Sequence, residues 1–240
     1  MITYVIPTLW KDKNIFATIE EFKKISDKNS RLIIINNTTN HGITISDDDR
    51  INIVNMGYNS FVNPAWNLGV EMATTEYVCL LNDDININLK GLHEIVSSEK
   101  PEFVGFSHLN REELDIDTYL VKWDNVNKRP FGFGQFMLFK KDNWHKIPED
   151  MKIFHGDDVI YFYHTLVLDI KLHLIGGFKI GGNQSTTAKS WWKSDIASKD
   201  SLEYFKWIEE NGLECTIHDT LKSAWNRKDF KYKHYIEKQN

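Results

Sequence analysis

The sequence predicts an α/β fold: a single domain with a mostly parallel central sheet flanked by helices. Over the first third of the chain, short apolar runs alternate with amphipathic stretches, which is the pattern of parallel βαβ units. The chain has 240 residues, 41% of them hydrophobic, so it can bury a substantial core. No internal repeat and no linker rich in Pro, Gly and Ser divides it. We therefore expect residues 1–240 to form one domain.

Four short apolar runs in the first part of the chain are predicted strands, with helices between them. Ile15 and Ile19 stand at helical spacing and predict the first crossover helix. The pair Asn63-Pro64 supplies a helix N-cap followed by a proline at the first helical position, so a second helix is expected from there to about Ala73. The predicted strands are residues 2–6, 31–35, 51–54 and 76–81.

The second half of the chain has a less regular pattern. Asp157-Asp158 opens a predicted helix, and Asp200 or Ser201 is expected to cap a last helix that ends at Gly212. A small, polar stretch predicts a loop over residues 176–187. The predicted strands of this half are residues 103–106, 132–139 and 172–175.

Composition excludes several classes of protein. No apolar run approaches the roughly 20 residues needed to cross a bilayer, and the first residues lack the basic flank of a signal peptide. Cys79 and Cys215 have no metal-binding spacing, which argues against a disulfide scaffold or a zinc finger and fits a reducing cytoplasm. The net charge of −5 argues against binding nucleic acid by bulk positive charge, although not against a local basic patch.

Adjacent carboxylates follow the most apolar predicted strand. Asn82-Asp83-Asp84 comes directly after it, at the edge of the sheet where open α/β folds bind ligands. Adjacent acids repel each other, and a divalent cation compensates this repulsion. Mg²⁺ or Mn²⁺ held by one or two carboxylates is completed by the oxygens of a diphosphate. The alternative is a solvated turn, because Asn and Asp favour turns. The local sequence leaves both interpretations open.

Further motifs stand in an order that is typical of a known family. A first strand ends in Ile6-Pro7-Thr8, an Asn-Met-Gly-Tyr segment (55–58) and an Ala-Trp-Asn-Leu-Gly segment (65–69) follow, and another strand leads into Asn-Asp-Asp. In these motifs, residues 2–90 resemble the family 2-like glycosyltransferases with the GT-A fold. The resemblance implies a metal-dependent enzyme that transfers a sugar from a nucleoside diphosphate, expected to be UDP, to an acceptor hydroxyl. It also implies that residues 1–100 bind the donor and residues 101–240 the acceptor.

The resemblance implies a donor and metal site at the ends of the first strands. Pro7 and Thr8 would border the nucleotide, and Asn82-Asp83-Asp84 would occupy the family's D-x-D position. Asp84 and Asp83 are then the candidate ligands of Mn²⁺ or Mg²⁺. Asn82 replaces the first acid of the motif. Its amide oxygen can still ligate a hard cation or bind ribose, but it lacks charge, so Asp83 would take a larger share of the metal.

Two pairs of residues extend the candidate donor site. Asn36 and Asn37 stand where the family commonly carries an acid that receives the nucleobase, so a base contact through an amide is expected and the preference for uracil is open. Asn67 and Gly69 match the helix motif, which makes Asn67 a candidate donor-binding residue. An asparagine that braces a loop and a glycine that allows close packing also explain this motif, and we favour that structural interpretation.

Asp157 and Asp158 stand where the family carries a Glu-Asp pair, one carboxylate of which is the general base. Inverting sugar transfer needs a carboxylate that removes the proton of the acceptor hydroxyl. The resemblance implies Asp158 as this base, with Asp157 as its catalytic neighbour and His155 close by. The alternative is that both acids only stabilise the first turn of a helix through its dipole.

A third segment departs from the family, because residues 182–187 keep hydroxyls but lack the histidine of the family's loop. Ser185 and Lys189 are candidate donor-binding residues, since a hydroxyl and an ammonium can bind a leaving diphosphate. A plain surface loop is the alternative. Trp191-Trp192 either stacks on a ligand or closes the core.

Two other functions stay open. A two-metal nuclease or nucleotidyltransferase would use the four aspartates of both motifs, but it leaves the Pro-Thr and Asn-x-Gly patterns unexplained. A non-catalytic nucleotide- or carbohydrate-binding module accounts for the departures from the family at Asn36, Asn82 and Gly182.

The acceptor is not specified by these motifs. The stretch 227–235 mixes basic and aromatic residues, as a DNA-facing patch would, and its alternative is a solvated terminal helix. The heavy use of Asn, Ile and Lys suggests an AT-rich genome, and the chain is similar in size to the small sugar transferases by which large tailed bacteriophages modify hydroxymethylated DNA bases. This comparison makes hydroxymethylcytosine in bacteriophage DNA one candidate acceptor, for which base flipping is expected, and a glycan is the other. No membrane partner is expected, and the oligomeric state is left open.

Overall fold

The computed structural model describes residues 1–40, 48–85, 87–107, 118–176 and 195–213. In these residues, eight strands form one sheet and five α-helices cover it. The strands are β1 (Ile2–Thr8), β2 (Arg31–Asn36), β3 (Ile51–Asn55), β4 (Tyr77–Leu81), β5 (Phe103–Gly105), β6 (Tyr119–Lys122), β7 (Phe136–Lys140) and β8 (His173–Gly176). The helices are α1 (Asn14–Lys23), α2 (Val62–Met72), α3 (Leu89–Glu99), α4 (Gly156–Phe162) and α5 (Asp195–Glu210).

The sheet is mixed, with the order β3-β2-β1-β4-β7-β5-β8-β6. Four of the seven strand pairings are parallel. Three of them join β1 to β2, β1 to β4 and β2 to β3 in the first half of the chain, and the fourth joins β5 to β8. Strand β7 runs antiparallel between β4 and β5, and β6 runs antiparallel to β8. The predicted α/β fold with a mostly parallel sheet is confirmed.

Both faces of the sheet are buried, which explains why its strands are continuous apolar runs. Side chains alternate along a strand, so Tyr4 and Cys79 join one core layer with α1 and α3. Val5 and Leu80 join the other layer, with α2, α4 and α5. Each fully buried aliphatic or aromatic side chain contributes about 1.5–3 kcal/mol relative to exposure.

The Asn-x-Gly motif of α2 fixes the distance between this helix and the sheet. A methyl group at Gly69 would lie 2.1 Å from Cγ1 of Val5, so only glycine allows this approach. The amide of Asn67 donates to the carbonyl of Ile147 at 2.8 Å and accepts from the Ile147 N–H at 3.0 Å. This geometry favours the structural interpretation of Asn67 and Gly69, and donor binding by Asn67 stays a prediction.

Two predicted helix caps are wrong. Helix α2 begins at Val62, and the amide of Asn63 donates to the carbonyl of Phe154 at 3.1 Å instead of capping the helix. Helix α5 begins at Asp195, so Asp200 and Ser201 lie inside it. Both departures have the same cause, because these polar side chains are used in tertiary hydrogen bonds that local sequence does not reveal.

The predicted strand over residues 132–139 is only partly correct, since β7 begins at Phe136. Phe133–Gln135 forms a 3-10 turn in which Phe133 is fully buried and packs edge-on against Phe103 and Tyr161. Burying the Phe133 ring stabilises the fold more than continuing the strand through residues 133–135 would.

None of the helices in the described ranges has the length and apolar character needed to span a membrane.

Candidate active site

The first group of predicted site residues lies together at one edge of the sheet. Strands β1, β2 and β4 are parallel, so their carboxyl ends meet there, and the antiparallel β7 begins at the same edge. The Thr8 hydroxyl donates to Oδ2 of Asp83 at 2.6 Å. The N–H of Asn82 donates to the carbonyl of Gln135 at 3.2 Å, which ties the Asn-Asp-Asp segment to β7. Pro7 is buried at the end of β1 beside Thr8.

Asp83 and Asp84 are buried next to each other, so a bound cation would stabilise their charged forms. Burial raises the pKa of Asp83. Burial and then the charge of Asp83 raise the pKa of Asp84 to about 6. Oδ1 of Asp84 is buried and meets no hydrogen-bond partner among the described residues. Asp83 and Asp84 thus have the charge, and Asp84 the unpartnered oxygen among the described residues, that fit a hard divalent cation.

A cation at this edge would need further ligands. Within the described ranges, no group of three or more His, Cys, Asp or Glu side chains is placed to hold a metal ion. Two carboxylates completed by substrate phosphate oxygens and water are the usual environment of Mg²⁺ in phosphate-transferring sites. The geometry therefore suits a metal that binds together with a phosphorylated ligand.

Asn36 lies at this edge, but its amide is fully occupied. It is buried, its nitrogen donates to Oδ1 of Asn55 at 2.7 Å and to the carbonyl of Asn40 at 2.8 Å, and its oxygen accepts from Trp10 Nε1 at 3.0 Å. Trp10 itself has a positive φ of 57° and is fixed by a bond from its N–H to the Thr8 hydroxyl at 2.8 Å. Trp10 was not among the predicted site residues.

The amide of Asn37 is occupied in the same way. Its nitrogen donates to the carbonyl of Phe61 at 3.1 Å and its oxygen accepts from the Ser60 hydroxyl at 2.6 Å. Asn37 therefore braces the segment before α2. For both asparagines this geometry favours a structural role, and a contact with a nucleobase stays a prediction.

The second group, Asp157 and Asp158, lies in the first turn of α4 and shares one arginine. Arg129 Nε contacts Oδ1 of Asp158 at 2.5 Å, and its Nη1 contacts Oδ2 of Asp157 at 2.9 Å. The side chain of Asp158 is 8% exposed, whereas that of Asp157 is 21% exposed. The three groups form a compact ion cluster that is partly shielded from water.

The two carboxylates differ in proton affinity. Burial alone would raise the pKa of Asp158, but the charge of Arg129 and a hydrogen bond from His155 hold it well below the ordinary value. Burial raises the pKa of Asp157, and the charge of Arg129 offsets only part of that effect. A carboxylate with a raised pKa is the better proton acceptor at neutral pH.

Helix α5 supports this ion cluster from behind. His155, with a φ of 61°, contacts Oδ2 of Asp158 through Nδ1 at 3.0 Å and the hydroxyl of Ser201 through Nε2 at 2.8 Å. Its ring stacks on Tyr204 with centroids 4.6 Å apart. The carboxylate of Asp200, which is fully buried, accepts the backbone N–H groups of residues 152–154 at 2.7–2.9 Å. The loop before α4 is therefore fixed by three consecutive hydrogen bonds.

The backbone of β7 and the turn before it joins the two groups of acids. A methyl group at Gly134 would lie 2.5 Å from Oδ2 of Asp157, so this carboxylate packs directly on the glycine backbone. The next residue, Gln135, accepts the N–H of Asn82. The Asn-Asp-Asp segment and the Asp157-Asp158 pair consequently lie at the same edge of the sheet.

Two residues that contact this ion cluster, Arg129 and Tyr204, were not predicted. Arg129 stands in a polar loop with no motif around it, and its partners are far away in sequence, so no local signal distinguishes it. Tyr204, whose ring stacks on His155, is likewise not marked by any local motif. The predicted donor ligands Ser185 and Lys189, the Trp191-Trp192 pair and the basic aromatic stretch lie outside the described residues.

One protein family matches more than half of this chain. The family model described as Glycosyl transferase family 2 matches residues 3–163. A comparison with curated proteins found no match.

Several solved structures have a fold similar to that of this chain. TarS 1–349 from S. aureus in complex with UDP-GlcNAc has a TM-score of 0.59 at 14% identity, over 86% of this chain and 66% of that one. GalNAc-T7 with UDP, GalNAc and Mn²⁺ has a TM-score of 0.57 at 10% identity, over 88% of this chain and 50% of that one. A further structure of S. aureus TarS has a TM-score of 0.52 at 13% identity, over 84% of this chain and 42% of that one. This chain thus spans less than two thirds of the length of these proteins, and the likeness is one of fold.

Proposed function

Because the chain belongs to glycosyl transferase family 2, we propose that it transfers a sugar from a nucleoside diphosphate, with UDP as the expected nucleotide, to an acceptor hydroxyl. One observation carries the proposal. Asp83 and Asp84 have raised pKa values, and one buried oxygen of Asp84 has no hydrogen-bond partner among the described residues. This pair lies at the same edge of the sheet as a second pair of carboxylates, which is bound by an arginine. The first pair suits a metal-bound diphosphate, and the second suits proton transfer.

The donor half of the proposal concerns the ends of β1 and β4. Asp84 and Asp83 would hold Mn²⁺ or Mg²⁺, with Thr8 fixing the orientation of Asp83. The metal would offset the charge on the leaving diphosphate. Pro7 and Asn82 would border the nucleotide. Two proteins of similar fold were solved with UDP or UDP-GlcNAc, one of them with Mn²⁺, which supports this choice of donor and metal.

The transfer step is a single displacement at the anomeric carbon. The acceptor oxygen forms a bond to that carbon while the bond to the diphosphate oxygen breaks, so the configuration inverts. The proton of the acceptor hydroxyl goes to a carboxylate of the Asp157-Asp158 pair. The position of Asp158 in the family pattern favours it as the base, and Asp157 lies beside it.

Hydrolysis and transfer of a nucleotide sugar test this proposal. With UDP-GlcNAc and Mn²⁺, the wild type should release UDP, and Asp84→Asn should lower this rate at least 100-fold. Asp142→Asn, an exposed aspartate in a turn after β7, is the matched control and should keep the rate. Absence of turnover with every nucleotide sugar, together with metal-dependent binding, would favour a non-catalytic binding module instead.

A two-metal phosphodiester-processing enzyme is less well supported. Its second metal would need Asp157 and Asp158, but Arg129 already contacts both carboxylates. A guanidinium in this position competes with a divalent cation for the same oxygens.

The acceptor is proposed from sequence alone. We propose that residues 101–240 bind it and that residues 1–100 bind the donor. The basic aromatic stretch at 227–235 supports hydroxymethylcytosine in DNA, and a glycan is the alternative. Binding to hydroxymethylated duplex that falls steeply with salt and exceeds binding to unmodified duplex would support DNA. Binding equal to that of an unrelated acidic polymer would exclude it.

A further inference from the structure

The hydrogen bond between Trp207 and His145 determines the protonation state of this histidine. The indole N–H of Trp207 donates to Nε2 of His145 at 2.9 Å. An indole nitrogen can only donate, so Nε2 must accept through its lone pair. The ring is therefore neutral, and its single hydrogen lies on Nδ1. A protonated ring carries hydrogen on both nitrogens and cannot accept this bond.

The surroundings of His145 also favour the neutral ring. The residue is half-buried, and burial lowers its pKa. Within the described ranges, no carboxylate lies within ion-pair distance of this ring, in contrast to the rings of His93 and His155. Burial therefore acts on His145 without a compensating anion.

The charged and titratable groups around His145 belong to three elements. They are Lys146 on its own segment, Tyr163 and His164 in the helical turn after α4, and Glu203 and Glu210 one turn to either side of Trp207 on α5. Lys146 is exposed and forms ion pairs with Glu71 and Glu149. His164 is fully buried, and burial is the main cause that lowers its pKa to about 4. These groups leave the imidazolium form of His145 without a stabilising partner.

Trp207 anchors helix α5, which in turn holds the loop before α4. Trp207 is 3% exposed, so water is a poor replacement for His145 as the acceptor of its N–H. A buried donor that loses its partner destabilises the packing around it. Two turns earlier on the same helix, the carboxylate of Asp200 accepts the N–H groups of residues 152–154. A loosened α5 therefore weakens the support of this loop.

We propose that the Trp207–His145 hydrogen bond is an acid-sensitive latch on α5, which opens when a proton binds to Nε2 of His145. The added proton occupies the lone pair that accepts from Trp207, so two N–H groups then face each other. Helix α5 loses this contact, and Asp200 holds residues 152–154 less firmly. This inference concerns the stability of the fold and does not depend on the proposed sugar transfer.

The latch should weaken on the acid side of neutrality. A histidine in an unfolded chain titrates at about pH 6.5, and the pKa of His145 is lowered in the folded chain. As the pH falls, the unfolded chain therefore binds this proton first. The latch contributes its full stability above about pH 6.5 and loses it below that pH, and the unfolding equilibrium constant rises by at most about 10-fold per pH unit for one such group.

NMR of the Trp207 indole tests the latch directly. The ¹⁵N-labelled full chain is titrated from about pH 7.5 to about pH 5, and loss of one indole signal in Trp207→Phe assigns that of Trp207. We expect this signal to shift in the wild type with a midpoint below about pH 6.5. It should stay in place in His145→Gln, whose amide oxygen can accept the bond but does not titrate. A wild-type signal that ignores pH, or an equal shift in His145→Gln, overturns the inference.

Hydrogen exchange of the backbone amides of α5 measures the consequence for the helix. After correction for the intrinsic pH dependence of exchange, the wild type should lose at least about 5-fold more protection than His145→Gln over the same pH range. His164 is present in both proteins, so this difference isolates His145. His93→Gln, which replaces a histidine that contacts Asp27, is the matched control and should behave as the wild type.

Trp207→Phe provides a second variant that removes the donor instead of the acceptor. Its α5 amides should be less protected already at about pH 7.5, and they should lose less protection on acidification than those of the wild type. Equal losses in the wild type and in His145→Gln would assign the acid response to other groups, and so would an undiminished loss in Trp207→Phe. Either result overturns the latch.

Discussion

Removing the cation between Asp157 and Asp158 should destabilise the protein strongly. Arg129→Met keeps much of the side-chain volume but leaves two carboxylates, 21% and 8% exposed, without their shared partner. Loss of one partner from a buried ion pair costs about 3–5 kcal/mol, and because the Arg129 side chain is 28% exposed we expect about 2–4 kcal/mol. For a chain of 240 residues this corresponds to a fall in Tm of roughly 5–12 °C.

A double-mutant cycle separates lost charge compensation from lost packing. Adding Asp158→Asn to Arg129→Met removes one of the two uncompensated charges and should recover about half of the lost free energy of unfolding, measured by urea titration at pH 7.5. Lys122→Met is the control, because its pair with Asp124 is exposed and should contribute less than about 1 kcal/mol. A loss below about 0.5 kcal/mol in Arg129→Met, or no recovery in the double variant, would refute the reasoning.

Three further predictions concern single residues. Asp200→Ala leaves three backbone N–H groups without their acceptor and should lower the free energy of unfolding by about 2–4 kcal/mol in urea, and an unchanged midpoint contradicts its role. Gly69→Ala forces a methyl group against Val5 and should cost about 1–3 kcal/mol, so a neutral thermal melt would show that α2 can move away. Mn²⁺ affinity, measured by calorimetry, should rise from pH 5 to pH 7, because only ionised Asp84 binds metal and its pKa is raised to about 6. A flat profile would place the metal elsewhere.

The strands were the most predictable part of the fold. Both faces of the sheet are covered by helices, so buried strands such as β1, β2 and β4 are continuous apolar segments that contrast with the polar loops around them. The carboxyl ends of parallel strands share an edge, so Asn82-Asp83-Asp84 was expected there, and the family resemblance placed Thr8 at the same donor site. The structure brings Thr8 and Asp83 within hydrogen-bond distance.

Residues whose roles depend on distant partners were not predictable. Arg129 meets acids 28 and 29 positions later, and no local periodicity marks such a contact. Asp200 has the side chain of a typical helix cap, but it lies inside α5 because the backbone of residues 152–154 supplies better donors. Phe133 belongs to an apolar run that resembles a strand, yet its burial against neighbouring rings favours a turn.

The central claim is that this edge of the sheet binds a nucleoside diphosphate sugar together with a divalent metal. A thermal-shift titration of nucleotide sugars, with and without Mn²⁺, tests it most directly. A ligand at about 100 times its Kd adds roughly 2.7 kcal/mol to the folded state, which for a chain of this length means a shift of about 5–10 °C. We predict such a shift for the wild type with UDP-GlcNAc and Mn²⁺ together, and its loss in Asp84→Asn. A shift of equal size without metal, or in Asp84→Asn, would contradict the account, and so would the absence of a shift with every nucleotide sugar.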